Sequence, residues 1–387
     1  MASKTDHLER TAAEPRDKSL HTVVIEHIEQ VNDTTRVFRL GIPRDSPPIR
    51  FLPGQWLDVY VPGVKKAGGF TITSTPREAR LAHPPPPEPE GATGGAQGKD
   101  GKDGKDGKKG ETAKAEGPYL ELAVQKSPDN PPAAWLWQDA DVDDGEGPGS
   151  SSNPISSSII GSGVRVRVGG GFVWPPPGIN VRSSLHRVVF VAGGVGVNPL
   201  VSMLCSLASS SPGTGTGTGD LEVRFLYSVK DPGVGGSNGK GRRCRKARNV
   251  LFLERIARAF REGRVKGQLE VFLTGADADP AHGGEGKGEK DATKTSVDGE
   301  GSEEDGIIVD GGGNEEGKKG DFTIPFRSRR CTVGDDVAVA VGNPRFAVVY
   351  ICGVPTMTDE FVAKLTAREN EGGIGMEPHR VLCEKWW

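Results

Sequence analysis

Between His21 and Gly178 the chain alternates apolar and polar positions in short runs. TVVIEHIEQ and TRVFRL flank the turn-forming pair Asn32-Asp33, and QWLDVYVP, FTITST, YLELAVQK and VRVRVGG follow. Val, Ile, Thr and aromatic residues at period two turn one face of each run to a core and the other to water. Six or more such strands predict a barrel or sandwich. The pattern changes at Leu185. HRVVFVAGG is a continuous β-branched run ending in glycines, and NPLVSMLCSLAS has helical spacing. LEVRFLYSV, LEVFLTG, FAVVYICG and HRVLCEKW read as further strands. VLFLERIARAFREG, with Leu251, Ile256 and Phe260 among its apolar positions, and the stretch from Pro355 to about Asn370 read as helices. Strand–helix alternation specifies a doubly wound parallel sheet. The expected architecture is a flexible tail over 1–20, an antiparallel β-barrel over 21–178 and a nucleotide-binding-type α/β domain over 179–387.

Four segments do not fit either pattern. They run from Ala82 to Gly117, over 209–220, from Gly233 to Arg248 and from Asp277 to Gly320. The first holds Pro84 to Pro87 and the KDGKDGKDGKK repeat, and the second the GTGTGTG run. The chain has 56 Gly and 29 Pro in 387 residues, about a fifth of its length against roughly 12% in average usage. Much of that excess sits in these segments, which lack the apolar surface to offset ordering entropy. They are read as solvated insertions. Arg242, Arg243, Arg245, Lys246 and Arg248 form a basic cluster in the third, which as a loop is solvated and as a patch would meet a partner.

Charge and cysteine usage remove several function classes. A net charge of −3 is not the basic balance of a nucleic-acid binder. Five widely spaced cysteines without a C-x-x-C pair exclude a zinc ribbon or a cysteine-held iron–sulfur cluster. An odd count argues for reduced thiols and an intracellular protein. The seven histidines show no H-E-x-x-H spacing, and no metal is expected. The longest apolar run, Val188 to Leu204, is broken by Gly193, Gly194, Gly196, Asn198 and Pro199, so no membrane span is expected. The N-terminus has no apolar h-region and mixes acids with its bases.

Three constellations carry candidate chemistry. The first strand of the α/β half runs into Gly193, Gly194, Val195, Gly196, Val197 and Asn198, with Pro199 in the first helical turn. Glycines let a backbone turn tightly and approach a phosphate, and the helix N-terminus favours an anion. The spacing is G-G-x-G-x-x-P rather than G-x-G-x-x-G. The turn is read as a dinucleotide site; the alternative is a turn that only packs helix on strand. Cys352 and Gly353 end a later strand and so belong on the same rim, although a strand-end cysteine is also an ordinary buried one. Phe70, Thr71, Ile72, Thr73 and Ser74 place an aromatic and alternating hydroxyls on a barrel strand, suited to a planar heterocycle or simply to water.

The order of these parts resembles the ferredoxin–NADP reductase superfamily. P-G-Q-W-L-x-V, the Phe70–Ser74 strand, A-G-G-x-G-x-x-P and C-G-x-P-x-M follow one another as they do there. The resemblance covers His21 to Trp387 apart from the four insertions, and implies a flavin-reductase-type barrel and two-electron transfer between nicotinamide and flavin. It implies FAD on Phe70 to Ser74, NAD over Gly193 to Asn198, Cys352 and Gly353 near the nicotinamide, and Trp387 near the flavin. Two departures bear on FAD. Gly68 stands where the family carries a pyrophosphate-gripping Arg, and Pro131-Pro132-Ala133-Ala134 where it carries a G-x-x-S turn.

These readings converge on an NAD(P)H-dependent flavin-type oxidoreductase with an unknown electron acceptor. The alternative is a non-catalytic dinucleotide-binding module or redox sensor with a degraded flavin site. NADH is expected over NADPH because Asp231, just past the second α/β strand, would repel a ribose 2′-phosphate, against which Lys230 would hold one. The compartment is read as mitochondrial from the resemblance or cytoplasmic from the N-terminal sequence.

Overall fold

A computed structural model describes residues 6–82, 117–138, 159–209, 221–233, 245–275, 306–311 and 320–385. The KDG and GTG runs and Trp387 lie outside these residues. The barrel half opens with helix α1 (His7–Arg10) and strands β1 (His21–Asn32), β2 (Thr35–Gly41), β3 (Trp56–Tyr60) and β4 (Gly68–Thr71). Strand β5 (Tyr119–Gln125), helix α2 (Pro131–Leu136) and strand β6 (Gly163–Gly169) complete it. The strands pair in the order β4-β3-β6-β1-β2-β5, antiparallel throughout. A bridge between Ile72 and Leu122 and the bond from Thr73 N–H to Glu121 O join the two edge strands and close the barrel. That closure corrects the FTITST reading. The regular strand stops at Thr71, and Thr73 and Ser74 leave β3 to reach β5. Val23, Ile25, Phe38, Leu40, Leu57 and Ile72 fill the barrel, each no more than 1% exposed.

The α/β half contains helix α3 (Val181–Ser184), strand β7 (Arg187–Gly193), helix α4 (Val197–Ala208), strands β8 (Glu222–Lys230) and β9 (Arg245–Lys246), and helix α5 (Leu253–Arg261). Strands β10 (Gly267–Thr274), β11 (Ile307–Val309), β12 (Phe322–Ile324) and β13 (Phe326–Arg327) follow. Helix α6 (Ala338–Val341), strand β14 (Ala347–Gly353), helix α7 (Pro355–Thr366) and strand β15 (Val381–Lys385) close the chain. The main sheet is parallel, in the order β13-β10-β8-β7-β14-β15. Its central strands are apolar on both sides. Val188 and Phe190 pack with Leu200 and Ile256 on one face, and Val189, Val191 and Ile351 pack with Phe361 and Leu365 on the other. This double burial is why β7 and β14 show no alternation. The expected barrel followed by a doubly wound sheet is the observed architecture.

Three expectations are corrected. The tail over 1–20 packs on the barrel from residue 6 onward. His7 Nε2 lies 2.9 Å and Arg16 Nε 3.1 Å from the fully buried carboxylate of Asp58, which Arg167 also binds at 2.6 Å. Burial would raise the Asp58 pKa, but the bonds from His7 and Arg167 and the charge of Arg16 hold it below its ordinary value. The stretch from Gly233 to Arg248 contains β9, and Ala247 beside it is fully buried. The stretch from Asp277 to Gly320 contains β11, which pairs with β9 and β12 and buries Ile307 and Val309 completely. The two stretches thus supply two of the three strands of a small second sheet, β12 being the third. Truncating Ile307 to Ala is expected to cost about 2–4 kcal/mol, as for other buried aliphatic side chains. Urea unfolding checks this, and a loss under 0.5 kcal/mol, the scale of ordinary surface changes, would mean that the strand adds nothing to the core.

Candidate functional site

Strands β7, β8, β10 and β14 run parallel, so their carboxyl ends share one rim. At the end of β7 the chain turns through Gly193 and Gly194 into α4. Gly194 has φ +54 and open space where a Cβ would stand, a conformation that disfavours side chains. Gly196 is required for a different reason: a Cβ there would collide with the carbonyl of Cys352 on β14. The paired end of β14 brings Gly353 against Gly193, with Met357 of α7 beside both. Ser228, Val229 and Lys230 from β8 and Thr274 from β10 complete the sheet side of a cavity of about 1280 Å³. The barrel forms the opposite wall with Gly69, Phe70 and Thr71 from β4, Ala123 and Gln125 from β5, and the following Lys126 and Ser127.

Gly193, Gly194, Val195, Asn198, Gly353, Phe70 and Thr71 therefore meet at one cavity. The other described candidates do not line it. Cys352 is fully buried and packs in the apolar core beneath α4. Of the two residues expected near the nicotinamide, alternation along β14 sends Cys352 into the core and leaves Gly353 on the rim. Gly196 and Val197 are buried behind the turn. Ile72 fills the barrel. Thr73 Oγ1 donates to Glu121 at 2.7 Å, and Ser74 Oγ accepts the Glu121 N–H at 3.0 Å. Their hydroxyls build the barrel seam.

The two halves are fastened around the cavity. Arg255 of α5 reaches Glu121 of β5 at 2.7 and 2.9 Å. Ser202 Oγ donates to Ser74 O at 2.7 Å, Asn198 Nδ2 to Ala123 O at 3.1 Å and Tyr350 Oη to Val173 O at 2.8 Å. Among the described residues, Lys126, Lys230, Arg330 and Lys364 line the cavity against one carboxylate, that of Glu360, so the wall favours an anion. Arg330 and Thr332 were missed by sequence reasoning, because they sit in a loop without periodicity. Asp231 lies next to this wall, but its carboxylate is held by Arg245 at 2.8 and 3.0 Å. That pairing lowers its pKa and neutralises the repulsion from which a preference for NADH was argued.

A dinucleotide suits this site, since the turn admits close approach of a phosphate and the wall is cationic. The pyrophosphate of FAD does not suit the two positions that the resemblance names. A Cβ on Gly68 would stand 2.5 Å from Cε2 of Phe70 and 2.8 Å from Cβ of Pro132, so no side chain can leave that position without displacing both. The turn at Pro131 is the first turn of α2, and its N–H groups are accounted for. Pro131 and Pro132 have none, Ala133 N–H donates to Asn130 Oδ1 and Ala134 N–H to Asn130 O. An anion finds no free backbone N–H there.

No family model matches the chain. Oxidoreductase NAD-binding domain-containing protein 1 of Danio rerio is 33% identical over 205 residues, 53% of this chain and 54% of that protein. The Bos taurus protein of the same name is 30% identical over 233 residues, covering 59% and 56%. The chain is similar to these oxidoreductases. It spans about half the length of the curated relatives it matches. Among solved structures, a ferredoxin NADP+ reductase from Neisseria gonorrhoeae with bound FAD and NADP aligns at TM-score 0.49 and 12% identity, covering 95% of this chain and 99% of that one. A cytochrome P450 reductase from Amycolatopsis aligns at TM-score 0.49 and 18% identity, covering 96% and 70%. Among the described residues, no helix is long and apolar enough to cross a membrane and no group of three or more His, Cys, Asp or Glu is placed to hold a metal ion.

Proposed function

We propose that the cavity binds a nicotinamide dinucleotide and that the chain is an oxidoreductase delivering reducing equivalents to an acceptor on the barrel side. The observation that carries this reading is the glycine turn opening onto the same cavity as Phe70 and Thr71. A nicotinamide, when bound, supplies a hydride. The protein's part is orientation. Gly193 and Gly353 leave room for a ring to approach the rim, Phe70 offers an aromatic surface across from it, and the cationic wall holds the phosphates. Hydride transfer requires no general acid or base, so a cavity with one lining carboxylate is sufficient. With Asp231 paired, the proposal covers NADH and NADPH alike.

A non-catalytic dinucleotide-binding module is the second reading. The crowding at Gly68 and the closed start of α2 favour it, since both remove a grip on resident FAD. Calorimetric titration with NADH tests the shared premise, and dye reduction by NADH with and without added flavin separates the two. No binding at millimolar NADH would end both readings.

Because neither position grips a pyrophosphate, FAD, FMN and riboflavin are expected to bind within about fivefold of one another. A charged phosphate contact of ~1.5–3 kcal/mol would instead separate them by roughly ten- to a hundredfold. The Gly68→Arg variant is expected to gain nothing, since its Cβ meets Phe70 and Pro132 before the guanidinium can reach any ligand. Fluorescence titrations give the ratios; FAD binding a hundred times more tightly than riboflavin would show that the cationic wall grips the flavin's phosphates as well as those of the nicotinamide dinucleotide.

A further inference from the structure

The loop after β13 reaches the cavity wall with Arg330, Cys331, Thr332 and Val333. It is held by a carboxylate that hydride transfer does not use. The Asp336 side chain has no exposed surface, and its two oxygens accept five hydrogen bonds. Oδ1 accepts from Arg327 Nη1 at 2.7 Å and from Arg329 Nη2 at 2.6 Å. Oδ2 accepts from Arg329 Nη1 at 2.7 Å, from Thr332 N–H at 2.8 Å and from Thr332 Oγ1 at 3.2 Å. Burial would raise the Asp336 pKa, but the bonds from Arg329 and Thr332 hold it below its ordinary value. The backbone is unusual as well. Val333–Val337 form one turn of π-helix, in which Thr332 O accepts from Val337 N–H at 3.1 Å. An α-turn would have closed on Asp336, one residue earlier. Such turns are rare and recur at functional sites.

We propose that Asp336 is a positioning residue: by clamping Arg329 and Thr332 to the back of the loop it turns Arg330 into the cavity, where the guanidinium meets a phosphate of the bound dinucleotide. The inference rests on the dinucleotide reading above. Arg327, Arg329 and Arg330 stand close in sequence, and of the three only Arg330 lines the cavity. The other two are drawn away by Asp336 and lie over the Phe272 ring, 5.6 and 5.4 Å from its centroid. Arg329 is gripped through both Nη atoms, a bidentate pairing that fixes direction as well as distance. A buried ion network adds little net stability of its own. Its effect here is orientation: with Arg329 fixed on one side of the loop and Thr332 tied down on the other, the residue after Arg329 is left to face the ligand.

A double-mutant cycle, read by calorimetric titration of the full chain with NADH and NADPH, tests this. Arg330→Gln is expected to weaken binding about tenfold or more, as for the loss of one charged phosphate contact. Asp336→Asn, which keeps the shape and gives up the charge, should weaken it to a similar degree. Added to Asp336→Asn, Arg330→Gln should cost less than about twofold, because the guanidinium has already left its place. A carboxylate that only stabilised the fold would lower the melting temperature and leave the two losses to multiply. Should Asp336→Asn fold poorly, Arg329→Gln opens the clamp from its more exposed side and is combined with Arg330→Gln in the same way. A loss confined to NADPH assigns the contact to the ribose 2′-phosphate, and an equal loss for both nucleotides assigns it to the pyrophosphate; either supports the inference. Losses that multiply, or an Arg330→Gln protein with wild-type affinity, overturn it and leave the dinucleotide reading standing. A wild type that binds neither nucleotide overturns both.

Discussion

Replacing Gly196 with valine is expected to weaken NADH binding more than a hundredfold. Its Cβ would fall on the carbonyl of Cys352, a backbone atom of the central strand β14, whose residues are all buried. Strand β14 cannot retreat, because it is paired on both sides by β7 and β15. The turn must therefore move outward into the cavity. Displacements of about 1 Å at a binding site cost on the order of a hundredfold in well-positioned systems. Overpacking also costs roughly 1–3 kcal/mol of stability, so the melting temperature falls while unfolding stays cooperative. Gly194→Ala is the matched control. It meets open space but takes a side chain to φ +54, at a cost of about 1–2 kcal/mol with a much smaller effect on affinity. Calorimetric titration of both variants checks the pair, and a Gly196→Val protein with wild-type affinity would remove the turn from the binding site.

The architecture was readable because burial is periodic wherever a sheet has one wet face and continuous where it has none. Residues Val23, Ile25 and Ile28 mark the buried side of β1, whereas β7 past Arg187 and the whole of β14 are apolar. What stayed hidden depended on parity and on long-range pairing. Cys352 and Gly353 both end β14, and only the register shows that the glycine faces the cavity. Helix α1 has no apolar face of its own, so its docking could not be read from periodicity. The signal was elsewhere, in Asp58, a carboxylate in the middle of an otherwise apolar strand that required cations from somewhere in the chain. Three apolar residues at Ile307 to Val309, among acids and glycines, are too few to count a period. The pairing of Asp231 was hidden for a similar reason: its partner Arg245 lies fourteen positions away, beyond a run that reads as loop.

The Arg255–Glu121 pair should give the clearest stability signature in the molecule. Glu121 is 12% exposed and accepts from Arg255 and Thr73, while Arg255 keeps 38% of its side chain in water. Removing one partner of a fully buried pair costs about 3–5 kcal/mol. The partial exposure of Arg255 reduces this, and Arg255→Ala is expected to lose about 2–3 kcal/mol at pH 7. The pH dependence separates this from lost packing. Burial alone would raise the Glu121 pKa, but the bonds and charge of Arg255 bring it below its ordinary value of 4.5. A depressed carboxylate stabilises the fold above its unfolded pKa, and that contribution is lost as pH falls through the folded value. In Arg255→Ala, burial acts on Glu121 largely uncompensated, so its folded pKa rises and the carboxylate destabilises the fold as it ionises. The gap between wild type and variant should therefore be widest near pH 7, begin to shrink as pH falls through the variant's raised Glu121 pKa, and go on shrinking towards the depressed wild-type value. Urea unfolding at pH 7 and pH 4 measures it. A gap that stays constant over that range would show that the guanidinium contributes by packing between the two halves and that its charge is of no consequence.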